Sequence, residues 1–235
     1  MADHDDNEFS CRIVLPKGGH TNPTSMYPVF FMLHDAGSNE DEVVDRVRSH
    51  VSPYLTVVSI RGPIDLGNGK YAWFDPQVVE DEALLSTVAE LHEKLYRFMR
   101  TGNFTLSQVE SRSWLYCEGQ AGILGLYNYQ ADKFIADTIM TVGARFPVAL
   151  RQPLDKRRIY ARPDLYLAHG LHDAVVPIEE ARELRAWLLT SPAGIAYSEH
   201  EMGHTPSDEC LATIHRWLSP FYPPYVRGGA KVDPE

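Results

Sequence analysis

Leu165-Tyr166-Leu167-Ala168-His169-Gly170-Leu171-His172-Asp173 is the stretch whose reading decides the fold. A short apolar run passes at once into a polar, glycine-containing loop, as a buried strand does when it ends in a tight turn. The same figure occurs twice earlier: Val29 to Leu33 runs into His34-Asp35-Ala36-Gly37-Ser38, and Ser113 to Cys117 runs into Glu118-Gly119-Gln120-Ala121-Gly122. Leu55 to Ile60, closed by Arg61-Gly62-Pro63, and Ile195 to Glu199 read as further strands. Helical patterns lie between them. Glu80 to Arg100 places Leu84, Val88, Leu91, Leu95 and Phe98 on one face, the spacing of an amphipathic helix. Residues 39–51, 119–129, 178–189 and 208–218 read as the other helices, with Pro177 at the first turn of one of them. Tyr71 to Phe74, after the Gly67-Asn68-Gly69 turn, reads as an aromatic loop. Strands alternating with helices predict an α/β fold with a mostly parallel sheet covered on both faces. In such sheets reactive groups gather at the carboxyl ends of the strands.

The chain bounds the possibilities further. Its 235 residues suit one domain, 1–235, with an ordered core over about 9–226 and polar ends at 1–8 and 227–235. Neither an internal repeat nor a dividing linker is evident. A net charge of -10 speaks against nucleic-acid binding, which needs clustered Lys and Arg, and leaves a small-molecule substrate as the expected partner. No apolar run reaches the length of a membrane span, and the acidic segment Met1–Glu8 is unlike a signal peptide. Cys11, Cys117 and Cys210 form no motif and leave one odd, which suits a reducing cytoplasm. No ligand spacing such as H-E-x-x-H stands out, so neither a metal nor another cofactor is expected.

Four segments together resemble the phospholipase/carboxylesterase family of α/β-hydrolases, which includes the acyl-protein thioesterases. Leu33-His34-Asp35-Ala36-Gly37-Ser38-Asn39-Glu40 is similar to the family's LHGxGxNE loop. Arg61-Gly62-Pro63 with Tyr71-Ala72-Trp73-Phe74-Asp75 is similar to its RGP…aWFD segment. His169 to Pro177 is similar to HGxxDxvVP, and Met202-Gly203-His204 to GxGH. The likeness runs from about Val29 to Leu218, and the chain order of turn, Asp, His is that of α/β-hydrolases. By position it implies that Asp173 orients His204, which acts as the base, and that the backbone N–H groups of Ala36 and Gln120 form the oxyanion hole. By analogy Trp73 and Phe74 line the substrate pocket, with a plain core role as the alternative, and His34 and Asp35 stand beside it. Glu118, where the family has an aromatic, projects either into the pocket or into solvent at the sheet edge.

Where the family reads G-F-S-Q-G-G, this chain reads Cys117-Glu118-Gly119-Gln120-Ala121-Gly122. Gly119 falls at the position of the nucleophilic serine, and glycine cannot form an acyl-enzyme. It does tolerate the positive φ of a strand-to-helix elbow. A second register, Leu115-Tyr116-Cys117-Glu118-Gly119, resembles the G-Y-C-x-G elbow of dienelactone hydrolases and makes Cys117 an alternative nucleophile, against its plain role as a small buried residue. Asp35 replaces a glycine of the family. It is read either as a second acid/base group or as a cap on the backbone of Gly37 to Asn39. His34, His169 and His172 are read as loop hydrogen-bonders, and Lys156-Arg157-Arg158 as a solvated loop.

Several functions fit these residues. The favoured expectation is an enzyme without a serine nucleophile that acts on a small metabolite with His204 and Asp173 as general base, in a cyclisation, elimination or rearrangement. The alternatives are an esterase or thioesterase whose serine has been replaced by glycine, a thiol hydrolase using Cys117, and a binding protein that keeps the pocket without the chemistry.

Overall fold

A computed structural model describes residues 9–17, 28–75, 82–101, 113–131, 135–152, 163–190 and 195–222. The expected polar ends at 1–8 and 227–235 and the Lys156-Arg157-Arg158 segment lie outside these residues. Nine strands are described: β1 (Cys11–Val14), β2 (Val29–Leu33), β3 (Thr56–Ile60), β4 (Ile64–Gly67), β5 (Lys70–Ala72), β6 (Trp114–Glu118), β7 (Thr138–Val142), β8 (Asp164–Gly170) and β9 (Ile195–His200). The main sheet has the order β1-β3-β2-β6-β7-β8-β9. Its strands pair in parallel, except for β1, which runs antiparallel to β3 at the edge. Every residue of β2, β6 and β7 is buried. This is why these runs read as continuously apolar or β-branched rather than alternating.

Five α-helices complete the layers: α1 (Glu40–Val47), α2 (Glu82–Thr101), α3 (Ala121–Gln130), α4 (Ile178–Leu188) and α5 (Asp208–Leu218). The side chains of Leu84, Val88, Leu91, Leu95 and Phe98 on α2 join those of α3 and α4 on one face, packed over Phe31, Leu33, Leu115 and Cys117. Val43, Val44 and Val47 of α1, with Cys210, Leu211, Ile214 and Leu218 of α5, cover Phe30, Met32, Trp114 and Tyr116 on the other. Two helix starts follow local rules. Asn39 accepts from the N–H groups of Asp41 and Glu42, and Ser207 accepts from that of Cys210, each ahead of an acidic first turn. Among the described residues no helix is long and apolar enough to cross a membrane.

The structure departs from the sequence reading in three places. Of the aromatic segment Tyr71 to Phe74, only Trp73 and Phe74 lie outside a strand: β4 and β5 form an antiparallel hairpin whose turn has φ of 84°, 54° and 71° at Gly67, Asn68 and Gly69. Strands β1 and β7 were not anticipated, and β7 lies in the middle of the sheet. Helix α3 begins at Ala121 because Gly119, with φ of 47°, makes the turn out of β6 first.

The parallel register brings the carboxyl ends of β2, β6, β7 and β8 to one edge, and close backbone approaches lock them there. At the end of β8, a Cβ on Gly170 would lie 2.2 Å from the Gly203 carbonyl oxygen and 2.4 Å from that of Met202. Glycine alone leaves the chain before His204 room to pack on β8. Gly170→Ala is therefore expected to destabilise the fold by about 1–3 kcal/mol, read as a lower urea midpoint with an unchanged slope.

Candidate functional site

The strand ends assemble a cluster of charged side chains. Asp173, in the loop after β8, accepts at Oδ1 from the N–H groups of Val175 (2.8 Å) and Val176 (2.9 Å). Those bonds aim Oδ2 at His204, whose Nδ1 donates to it over 2.8 Å. His204 lies on the loop between β9 and α5, held where the His172 N–H donates to the Met202 carbonyl. Gly143, at the end of β7, has φ of 63°, and a Cβ there would sit 3.2 Å from His204 Nδ1. A bare backbone is what lets the sheet approach the ring so closely.

The other ring nitrogen of His204 meets Asp35. Nε2 donates to Asp35 Oδ2 over 2.9 Å. Asp35 Oδ1 accepts from the N–H of Ala36 (2.7 Å) and the N–H of Gln120 (2.6 Å). These are the two groups that the sequence assigns to the oxyanion hole, and here they hold the chain's own carboxylate. Asp35 does not cap Gly37 to Asn39, as one reading of the sequence expected. Asn39 performs the capping of α1 itself. The Asp35 carboxylate also fills the space beside the elbow: a Cβ on Gly119 would lie 2.0 Å from its Oδ1 and 2.1 Å from its Cγ.

Charge follows from these partners. Burial penalises the His204 cation, but the hydrogen bonds and charges of Asp35 and Asp173 outweigh that penalty and raise its pKa to about 9. A carboxylate faces each ring nitrogen, and a carboxylate only accepts, so both nitrogens carry protons. Burial likewise works against the Asp35 anion, yet His204 and the two amides hold its carboxyl below the ordinary value. His34 is the opposite case. Its Nδ1 donates to the Asp35 carbonyl (2.7 Å) and its Nε2 accepts from the Gly62 N–H (2.9 Å). Burial is the main cause of its lowered pKa, and the imidazole is neutral.

Asp35, Gly119 and His204 line one wall of a cavity of about 210 Å³, whose other walls include Ser38, Glu42, Arg46, Glu118 and Thr205. Glu118 is buried and accepts from Arg46 Nε and Nη2 on α1 (3.1 and 2.5 Å) and from the Tyr116 hydroxyl. Arg46 carried no signal in the sequence, because its partner lies 72 positions away. Trp73 and Phe74 do not reach this cavity. They line a separate one of about 390 Å³ with Pro63, Ile64, Leu84 and Leu91. Gln120 ties the two regions together, accepting from the Trp73 N–H (2.8 Å) and donating to the Phe74 carbonyl (2.9 Å).

Several expected site residues take other roles. His34 is wholly buried, spans two backbone groups and lines neither cavity. Cys117 is also wholly buried, on the α3 side of the sheet, where its Sγ would lie 3.1 Å from a Cβ on Gly125. Burial pushes its thiol far above the usual range, so the alternative elbow register gives no accessible thiolate. His169 donates from Nε2 to the Val176 carbonyl (2.8 Å) and braces the Asp173 loop. Among the described residues no three His, Cys, Asp or Glu side chains are grouped to hold a metal ion.

The cluster gives stability a definite pH dependence. The folded pKa of His204, about 9, exceeds the ordinary 6.5, so its contribution is complete below about 6.5 and is lost as pH rises through about 9. Asp35, with a depressed pKa, contributes above the ordinary 3.8 and loses that contribution only in stronger acid. Thermal melts are expected to show Tm falling between pH 6.5 and 9, with that slope reduced in His204→Gln.

Comparison with solved structures places this architecture. The chain superposes on the Bacillus cereus carboxylesterase over 92% of its own length and 96% of that protein, with a TM-score of 0.72 at 15% identity. A carboxylesterase from Mesorhizobium loti gives 0.70 at 17% identity over 92% and 96%. Zea mays acyl-protein thioesterase 2 gives 0.66 at 16% identity over 90% and 98%. No sequence-family profile and no curated protein sequence matches the chain. At these identities the likeness is one of fold, and the chain has the α/β-hydrolase fold of esterases.

Proposed function

We propose that this chain is an α/β-hydrolase-fold enzyme that acts on a small polar organic molecule without a serine nucleophile, through Asp35, His204 and Asp173. One observation carries the reading: the Asp35 carboxylate occupies the space that a side chain at position 119 would need, bridging the Ala36 and Gln120 amides to His204. The side chains of Asp35 and His204 keep 24% and 20% of their surface exposed, enough to meet a substrate in the cavity.

The sequence reading made His204 the base. The geometry favours another division of labour, because a base needs a free lone pair and His204 has a carboxylate at each nitrogen. In the resting protein the imidazolium is the acid. The Asp35 carboxylate is the electron-pair donor, with lone pairs on Oδ2 beyond the one that meets His204. Asp173 orients the ring and stabilises its charge. Proton transfer between substrate and this pair supports the non-hydrolytic class expected from sequence, as well as additions of water that need no acyl-enzyme.

Against the reading of an esterase that has merely lost its serine stands the collision at 119. Gly119→Ser alone is expected to give no esterase activity and no labelling by a fluorophosphonate, since the new side chain and Asp35 compete for one place. In Asp35→Gly/Gly119→Ser the amides are freed for an oxyanion and His204 loses its second carboxylate, so labelling and hydrolysis of p-nitrophenyl acetate should emerge. Esterase activity from Gly119→Ser alone would remove Asp35 from its assigned place. A metabolite screen on the unmodified protein should find a substrate whose turnover falls about 10³-fold or more in Asp35→Asn and in His204→Gln. A substrate turned over equally by all three proteins would overturn the assignment.

A further inference from the structure

We propose that Asp35 is a carboxylate nucleophile and that the substrate is a small polar epoxide, opened through an ester on Asp35 and released as a diol. This rests on the reading of Asp35, His204 and Asp173 as the catalytic group and names its chemistry. The two oxygens of Asp35 are differentiated by their surroundings. Oδ1 is engaged by the Ala36 and Gln120 amides, while Oδ2 faces His204 Nε2 beside Gly119. A carboxylate held in this way is poorly suited to acyl substrates. Attack on an ester carbonyl develops an oxyanion on the substrate, and the amides that would receive it are already occupied. Attack on a saturated carbon forms no tetrahedral oxyanion that needs those amides. The amides then serve the later step, when the oxyanion forms on Asp35 itself.

The proton on His204 selects among alkylating substrates. An alkyl halide leaves as an anion and consumes no proton, which would leave His204 protonated and unable to activate water afterwards. An epoxide needs one proton for its ring oxygen, and His204 Nε2 holds one 2.9 Å from the attacking carboxylate. In the first step an Oδ2 lone pair bonds to an epoxide carbon. The ring carbon–oxygen bond breaks toward oxygen, and that oxygen takes the Nε2 proton. The result is a hydroxyalkyl ester of Asp35 and a neutral imidazole. In the second step Nε2 takes a proton from water as the water oxygen bonds to Asp35 Cγ, and the carbonyl electrons move onto Oδ1 between the two amides. Collapse re-forms the carbonyl and breaks the Cγ–Oδ2 bond, and the departing alkoxide takes the proton of the added hydroxyl. The products are the diol, the Asp35 carboxylate and the His204 cation from which the cycle began. The diol of the first turnover carries the oxygen of Asp35, and the water oxygen remains in the protein. The cavity at this point, walled by Ser38, Glu42, Arg46, Glu118 and Thr205, suits a substrate with polar substituents.

The test uses the unmodified protein. Enzyme in excess over glycidol is allowed one turnover in water labelled with heavy oxygen, and the glycerol and the proteolytic peptide containing Asp35 are weighed by mass spectrometry. Unlabelled glycerol and one heavy oxygen in the Asp35 peptide are expected. Heavy oxygen appearing directly in the glycerol, with Asp35 unlabelled, overturns the nucleophile while leaving the acid–base reading of the same site intact. Absence of turnover with both glycidol and styrene oxide overturns the epoxide assignment, and the metabolite screen then judges the wider reading separately. As a second measurement, Asp35→Asn with a native circular dichroism spectrum should lose diol formation about 10⁴-fold. Retention of the activity overturns the proposal.

Discussion

One carboxylate organises this site. The amides of Ala36 and Gln120 and the Nε2 proton of His204 converge on the point where Asp35 stands. Donors that converge in a partly buried place need an anion, and an unmet one is costly. Here the anion belongs to the chain. Gly119 and Asp35 depend on one another, because glycine supplies the room and the carboxylate occupies it. His204 in turn depends on Asp35 for half of the negative charge that keeps it an imidazolium in a buried setting.

Neighbouring groups show the same control by partner. Two histidines at the same edge of the sheet hold opposite charge states: His34 meets one acceptor and one donor of the backbone, and His204 meets two carboxylates. Glu118 is buried beside them, and burial pushes its carboxyl up against the pull of Arg46. The pair fixes α1 to the end of β6 while forming part of the cavity wall. Gln120 donates its backbone N–H to Asp35 and clamps residues 73 and 74 with its side chain. It thus links the cavity at Asp35 to the one lined by Trp73 and Phe74.

The sheet makes this convergence possible. Parallel pairing stacks the ends of β2, β6, β7 and β8 side by side, and glycines at 119, 143 and 170 let the Asp35 carboxylate, the His204 ring and the backbone of 202–203 close in where a Cβ would collide or crowd them. Hydrogen-bond contact between groups up to 169 positions apart is a property of that frame. The loops that carry the groups inherit it through backbone hydrogen bonds, such as those from Leu171 to His200 and from His172 to Met202.

Much of this was legible in the residues themselves. Strands that end in polar loops, and helices with apolar residues on one face, carry local periodicity, so β2, β3, β6, β8, β9 and the five helices could be read from the chain. The 208–218 helix was read with the bounds it has. That Asp173 and His204 meet near Gly119 was implied by the family resemblance of their segments rather than by local periodicity. Strand β7 escaped because Thr-Ile-Met-Thr-Val, buried on both faces, has no period to betray it, and the β4–β5 hairpin escaped because its strands are short and β4 is exposed. Only the tertiary structure decided what Asp35 does. Nothing in the sequence around it states whether its side chain turns to Gly37 to Asn39 or to the elbow. The answer depends on an absent Cβ 84 residues away and on an imidazole 169 residues away. The charge of His204, the partnership of Arg46 with Glu118, and the burial of Cys117 are likewise set by groups that share no segment of chain. Hydrogen bonds and desolvation act across space, and local sequence encodes only what acts along the chain.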